Sequence, residues 1–127
     1  MSVDENKAVV RRFLMEVLTG RNIDLVDQLL APNYVNRGMV GVDRAGFKTA
    51  LSGMRAAISA LDIEIADLVA EGDSVAVRCT LNFTLANGKK VSARDITFFR
   101  LSNGKIVEDD PMSAPDLTQL LGSMMSP

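Results

Sequence analysis

No histidine occurs in this 127-residue chain, and that absence excludes a wide range of chemistry. A histidine general base, a Ser-His or Cys-His nucleophile pair, and every zinc site that needs imidazole are removed at once. The single cysteine, Cys79, rules out an internal disulfide and a multi-thiolate metal or iron–sulfur centre. Any excess of charge is lacking too: 14 Lys and Arg against 16 Asp and Glu leave a net charge of -2, without the clustered basic residues that a nucleic-acid surface requires. No stretch approaches the about 18 uncharged apolar residues of a membrane span. The acidic start, followed by Arg11 and Arg12, does not read as a secretory leader. The expectation is a cytoplasmic protein with no metal, no cofactor, no nucleic-acid partner and no membrane partner. Its chemistry must come from carboxylates, guanidiniums, amides and hydroxyls.

What is present is one domain, residues 1–127, with 47% hydrophobic residues, enough for a chain of this length to bury about two-thirds of its unfolded surface. Val9, Val10, Phe13, Leu14, Val17 and Leu18 recur at helical spacing. Ser2 and Glu5 form a capping-box pattern ahead of them, and Gly20 is a natural stop. A short second helix carries Leu25, Leu29 and Leu30 and closes at Ala31-Pro32. The segment Tyr34-Val35-Asn36-Arg37 leads into a loop with Gly38 and Gly41. A third helix is expected from about Asp43 to Leu61. From Ile63 to Met112 the period becomes that of strands, interrupted at Gly72-Asp73, Asn87-Gly88 and Asn103-Gly104. Asn-Gly between alternating runs signals a tight hairpin, because both residues tolerate positive φ. Ser113 and Pro115 then open a short C-terminal helix with Leu117, Leu120, Leu121 and Met124. The predicted fold class is α+β: three N-terminal helices packed on a curved four-stranded antiparallel meander, with a short C-terminal helix.

Two-residue turns would fix the register. Counting from them pairs Asp67 with Arg78, Arg78 with Thr97, Thr97 with Asp110, Thr80 with Asp95, Asp95 with Met112, and Phe99 with Glu108. One sheet face then carries the rows Asp67–Arg78–Thr97–Asp110 and Ile65–Thr80–Asp95–Met112. Two acids near one arginine in an apolar pocket separate in pKa and can act as base and acid. Arg78 pairs either with Asp95 in such a site or with Asp67 in a structural ion pair. Cys79 is expected in the core, Asp109 on the opposite face as a solvated or interface residue, Arg37 at a pocket rim or in solvent, and Arg94 and Arg100 at a subunit interface. Both faces hold too many apolar residues to be washed by water, so one is expected to meet helices and the other a second subunit.

The element order, with the segments Asn6-Lys7-Ala8-Val9-Val10-Arg11-Arg12-Phe13, Gly46-Phe47, Asp67-Leu68-Val69-Ala70-Glu71-Gly72-Asp73 and Asn103-Gly104-Lys105-Ile106-Val107-Glu108, resembles the SnoaL-like polyketide cyclases of the nuclear transport factor 2-like cone fold. That resemblance implies a cone-shaped α+β barrel around a pocket, with an Asp near the last strand doing acid/base work. Tyr34-Val35-Asn36 and Arg78 are similar to a Tyr-x-Asn and a strand Arg of limonene epoxide hydrolases. Ketosteroid isomerases are similar in placing acids and a Tyr in the same cone. The chain departs from these patterns at Asn36-Arg37 and Asp109-Asp110, where many SnoaL-like members carry His or His-Trp. It departs again at Arg78-Cys79-Thr80, where the hydrolases have Arg-x-Asp.

The expected function is a cofactor-independent acid/base enzyme of the cyclase or isomerase type on a hydrophobic oxygenated substrate. Asp110 is the leading acid/base, Asp95 the second acid, and Arg78 holds the pair. Tyr34, Asn36, Thr80, Thr97, Phe99 and Met112 are expected around the substrate. The alternatives are epoxide hydrolysis and a non-catalytic ligand-binding or dimerisation module. A homodimer through the outer sheet face is expected in either case.

Overall fold

The computed structural model describes residues 2–38 and 42–115. Helix α1 (Val3–Arg12) starts at Ser2, whose hydroxyl accepts the Glu5 amide at 3.0 Å while the Glu5 carboxylate accepts the Ser2 amide at 3.1 Å. This is the reciprocal cap its sequence announced. The helix continues as a π-helical stretch, Phe13–Thr19. Gly20 ends it, with a Cβ position that would stand 2.7 Å from the Glu16 carbonyl oxygen. The second helix is shorter than its leucines suggested: a 3-10 turn, Ile23–Leu25, and one turn of α2 (Val26–Leu29).

Leu30–Asn36 is then a strand, β1, where a helix closing at Ala31-Pro32 and a segment leading into a loop are expected. After β2 (Val42–Asp43), α3 runs from Arg44 to Ala57, capped by Asp43 Oδ1 accepting the Gly46 amide at 2.8 Å. Strand β3 begins at Ile58, so Ile58 and Leu61 belong to the sheet rather than to the helix. Strands β3 (Ile58–Glu71), β4 (Ser74–Leu85), β5 (Lys90–Ser102) and β6 (Lys105–Ala114) form the expected antiparallel meander. Two further strands extend it to six in the order β2-β1-β6-β5-β4-β3. β1 joins β6 in parallel. Ser113 and Ala114 lie in β6; the rest of the expected C-terminal helix falls outside the described residues.

The register differs from the counted one by single residues, for three local reasons. The Gly72-Asp73 turn has two residues and pairs Asp67 with Arg78 as expected, but a bulge at Ala66 then sets Ile65 opposite Cys79. The loop at Asn87-Gly88 has three residues. Leu85 donates its amide to the Lys89 carbonyl at 2.8 Å, Gly88 donates to the Leu85 carbonyl at 2.9 Å, and Gly88 takes φ 88°, the geometry of a type I turn followed by a left-handed residue. Asp95 therefore faces Cys79, and Thr97 faces Val77. Asn103-Gly104 is the expected two-residue turn, with φ of 51° and 77°, but a bulge at Val107 sets Phe99 opposite Asp109. Since side chains alternate, each one-residue slip turns a set of residues to the other face.

The inner face consequently carries Ile63, Val75, Val77, Cys79, Leu81, Phe83, Phe99, Leu101 and Ile106, all buried beneath Val10, Phe13, Val17 and Phe47 of the helices. Phe13 is the hub, with ring centroids 5.7 Å from Phe47 and 5.9 Å from Phe99.

Candidate functional site

The parallel pairing of β1 with β6 aligns Val35 with Glu108 and Asn36 with Asp109. The Arg37 amide donates to the Asp109 carbonyl at 2.8 Å and extends the ladder. Tyr34 and Asn36 alternate on β1, so both side chains turn inward onto Asp109. The Tyr34 hydroxyl donates to Asp109 Oδ2 at 2.9 Å. Asn36 Nδ2 donates to the Tyr34 hydroxyl oxygen at 3.2 Å and to Asp109 Oδ2 at 3.4 Å. Phe47 supports the tyrosine ring edge-on at 5.7 Å. On the opposite face of the same strands, Arg37 pairs with Glu108 at 2.6 Å, and Glu108 also reaches Arg100 at 3.4 Å. This bridge clamps β1 to β6 directly behind the buried trio.

Burial decides the electrostatics here. It raises the Asp109 carboxyl to about 7, against the lowering effect of the Tyr34 hydrogen bond and with further repulsion from Asp95 and Asp110. Tyr34 is pushed up by burial and by the Asp109 charge, so it keeps its proton. Further along β5 on the same face, Asp95 accepts the Thr97 hydroxyl, and burial raises its carboxyl as well. Asp95 and Phe99 are four residues apart, roughly 13 Å of strand. Among the described residues no Lys or Arg is buried, so neither acid has an interior cation. No three His, Cys, Asp or Glu residues among them converge where a metal ion could sit.

Of the expected site residues, Tyr34, Asn36, Asp95, Thr97 and Phe99 are on the inner face and buried. Arg78 is not: its side chain is 65% exposed and pairs with Asp67 on the outer face, the structural alternative weighed from sequence. Asp110 and Met112 also point outward, and Thr80 lies on the outer row beside Arg94. The Val107 bulge exchanges Asp110 for Asp109 as the inward acid. Asp109 was expected on the opposite face as a solvated or interface residue, but it is buried, and nothing in its own segment marks that bulge. The available cue was Tyr34-x-Asn36, two hydrogen-bonding side chains on one strand face that need an acceptor on a neighbouring strand. Cys79 is in the core as expected, with its thiol raised by burial and by Asp95 to about 11.

Two clefts open elsewhere. One of about 30 Å3 lies between the π-helical stretch, α3 and β3, lined by Val17, Leu51, Met54 and Leu61 among others. The other, of about 380 Å3, lies over Leu61, Phe83 and Val91. Neither cleft is lined by Tyr34, Asn36, Asp95 or Asp109.

No curated protein matches the chain in sequence. Its architecture is shared by many solved structures. A candidate polyketide cyclase from Acidithiobacillus ferrooxidans is 23% identical, with 98% of this chain and 99% of that chain covered and a TM-score of 0.78. AclR, a candidate hydroxylase from Streptomyces galilaeus, is 24% identical over 95% of this chain and 87% of its own, with a TM-score of 0.79. A candidate polyketide cyclase from Bacillus cereus is 27% identical over 93% and 80%, with a TM-score of 0.76. These likenesses support the nuclear transport factor 2-like cone. The model of one family, the SnoaL-like polyketide cyclases, matches residues 8–121, a span that takes in β1, β6 and the trio between them, and the chain belongs to that family.

Proposed function

We propose that this protein is a cofactor-independent acid/base enzyme of the cyclase or isomerase type, acting on a hydrophobic oxygenated molecule, with Asp109 as its acid/base. The observation that carries the reading is a buried carboxyl, raised to about 7 and held through one oxygen by Tyr34 and Asn36. A general base works best when its pKa lies near the operating pH. Asp109 Oδ2 is occupied by the two donors, while Oδ1 accepts no hydrogen bond among the described residues. Oδ1 is therefore the atom that takes a proton from a carbon beside a carbonyl.

Protonation of Asp109 weakens its claim on the Tyr34 hydroxyl, which is then free to donate to the enolate oxygen that forms. Asp95 is the second acid. Burial raises its carboxyl and so favours the proton-bearing form, the form that donates to another substrate oxygen on the same face. The cation-free interior favours an uncharged substrate over a carboxylate.

The test is proton exchange. A panel of polycyclic ketones and 1,3-diketones is incubated with the protein in D2O, and deuterium at the α-carbons is followed by NMR. Exchange by the wild type that Asp109→Asn abolishes supports the reading. A second reading, epoxide hydrolysis, is favoured by the convergence of Tyr34, Asn36 and Asp109 within 3.4 Å, a set of groups able to hold one water. It predicts solvent 18O in a diol product and no α-exchange. Ligand binding with neither reaction would point to a non-catalytic module.

A further inference from the structure

The cleft between the π-helical stretch, α3 and β3 is walled by Val17, Leu51, Met54, Ile58 and Leu61 around about 30 Å3. The walls offer almost no polar surface to hold a water, which needs two or more polar partners. A space so narrow and dry suits the end of an alkyl chain rather than a ring. Arg21, half-buried, and Arg55, exposed, complete the lining on the solvent side. Arg55 lies in the last turn of α3 and donates through Nη2 to the Arg21 carbonyl, while Arg21 donates through Nη2 to the Ile58 carbonyl. Both guanidiniums are thereby tethered to one short stretch of backbone at the cleft rim.

Neither charge is answered within the chain. Arg12, Arg37, Arg44, Arg78 and Arg100 each hold a carboxylate, but Arg21 and Arg55 hold none among the described residues. Arg11 and Arg94 also lack one, yet neither lines a cleft. Each tether uses one guanidinium N–H, so most of the donors on both side chains remain for a ligand. The backbone adds a second observation. Arg21 takes φ 57°, the left-handed conformation that follows many helices and that glycine or asparagine usually fills. Here Gly20 stands one residue earlier at an ordinary φ of -77°, and an arginine bears the strain. Strain of this kind is retained where the side chain it carries is used.

We propose that this cleft binds an unbranched alkyl carboxylate, with its tail between α3 and β3 and its carboxylate across Arg21 and Arg55. A planar carboxylate matches the guanidinium fork with two parallel hydrogen bonds, and its charge answers the two that the chain leaves open. None of the lining belongs to the Tyr34–Asn36–Asp109 trio, so the site stands whether or not Asp109 is an acid/base.

Titration of the full chain with sodium octanoate, followed by amide NMR, tests this. The amides of Leu18, Leu51 and Leu61 should shift, and those of Tyr34 and Asn36 should not. Affinity should rise about fourfold per methylene from butanoate to hexanoate. Octanol, with the same tail and no charge, should bind at least about tenfold more weakly than octanoate. Arg55→Gln and Arg21→Gly should each weaken octanoate by roughly tenfold or more. Glycine takes φ 57° without strain, so Arg21→Gly should keep the wild-type Tm while losing the ligand. If it does not fold, Arg55→Gln decides, because that side chain is exposed. The proposal is overturned if millimolar octanoate shifts no amide, or shifts those of Tyr34 and Asn36 instead. Octanol binding as tightly as octanoate overturns it too, as does an affinity indifferent to both arginine variants.

Discussion

Replacing Asp109 by Asn should stabilise the protein at neutral and alkaline pH, and the size of the effect follows from the position of its carboxyl. The group titrates at 3.8 in the ordinary case and at about 7 in the fold, a difference on the order of 4 kcal/mol. Between those two values the folded chain holds a proton that the unfolded chain has released. Folding stability from this group is therefore highest below the lower value, declines as pH rises, and levels off above about 7. The amide has no such slope. The stability difference between variant and wild type should grow by on the order of 4 kcal/mol from pH 4 to pH 8, or about 15 °C in Tm for 127 residues. Thermal unfolding of both proteins at half-unit pH steps measures it, and the differencing cancels the surface carboxylates they share. Asp95 is raised in the same direction, so Asp109→Asn should keep a smaller slope that Asp95→Asn removes. A difference curve that is flat across this range would refute a buried, protonatable Asp109 and the base assigned to it.

Tyr34→Phe removes a donor that lowers the Asp109 carboxyl, so the midpoint of the pH–rate profile should move to higher pH, at a stability cost of roughly 1–2 kcal/mol measured by urea unfolding. Arg78→Ala breaks only an exposed pair; a loss of no more than about 1 kcal/mol and unchanged α-proton exchange are expected. Gly38→Ala would put a Cβ 2.4 Å from Pro111 Cγ and 2.9 Å from its Cδ. Because a proline ring cannot swing aside, a cost of roughly 1–3 kcal/mol is expected, together with a displaced Asn36 amide signal in NMR. Cys79, with its thiol raised to about 11 and buried, should resist a disulfide reagent in the native protein and react at the rate of unfolding.

Elements defined by neighbouring residues were legible in the sequence. The Ser2–Glu5 cap, the helical face from Val10 to Val17, the start of the third helix near Asp43 and the Asn103-Gly104 turn all depend on residues within a short stretch of chain, and each stands where its pattern put it. Features set by a single inserted residue were not. Ala66 and Val107 carry no mark that distinguishes a bulge from regular pleat, and Asn87-Gly88 suits a three-residue loop as well as a two-residue one. The alternation of apolar residues could not arbitrate, because Ile96, Phe98 and Met112 are apolar and yet outward. The candidate site was therefore half visible. Tyr34 and Asn36 came from a resemblance, and Asp95 and Thr97 from a register count that the loop at Asn87-Gly88 shifts by one residue. The exchange of Asp110 for Asp109 needed the bulge, and the approach of β1 to β6 needed a pairing between segments too distant for any local pattern to encode.

That distant pairing also orders events in time. Tyr34 and Asp109 stand 75 positions apart along the chain, whereas the β3–β6 hairpins close over short loops. Loop-closure entropy grows with length, and contacts between remote segments form late and slowly. A collapsed intermediate could thus hold the whole meander and most of its amide protection without a working constellation. During refolding, sheet content measured by circular dichroism should recover before the Tyr34–Asp109 contact does. A chain cut short before Lys105 could complete three of the hairpin strands and still be inert. Under the proposed function, competence follows the last step of topology rather than the acquisition of secondary structure.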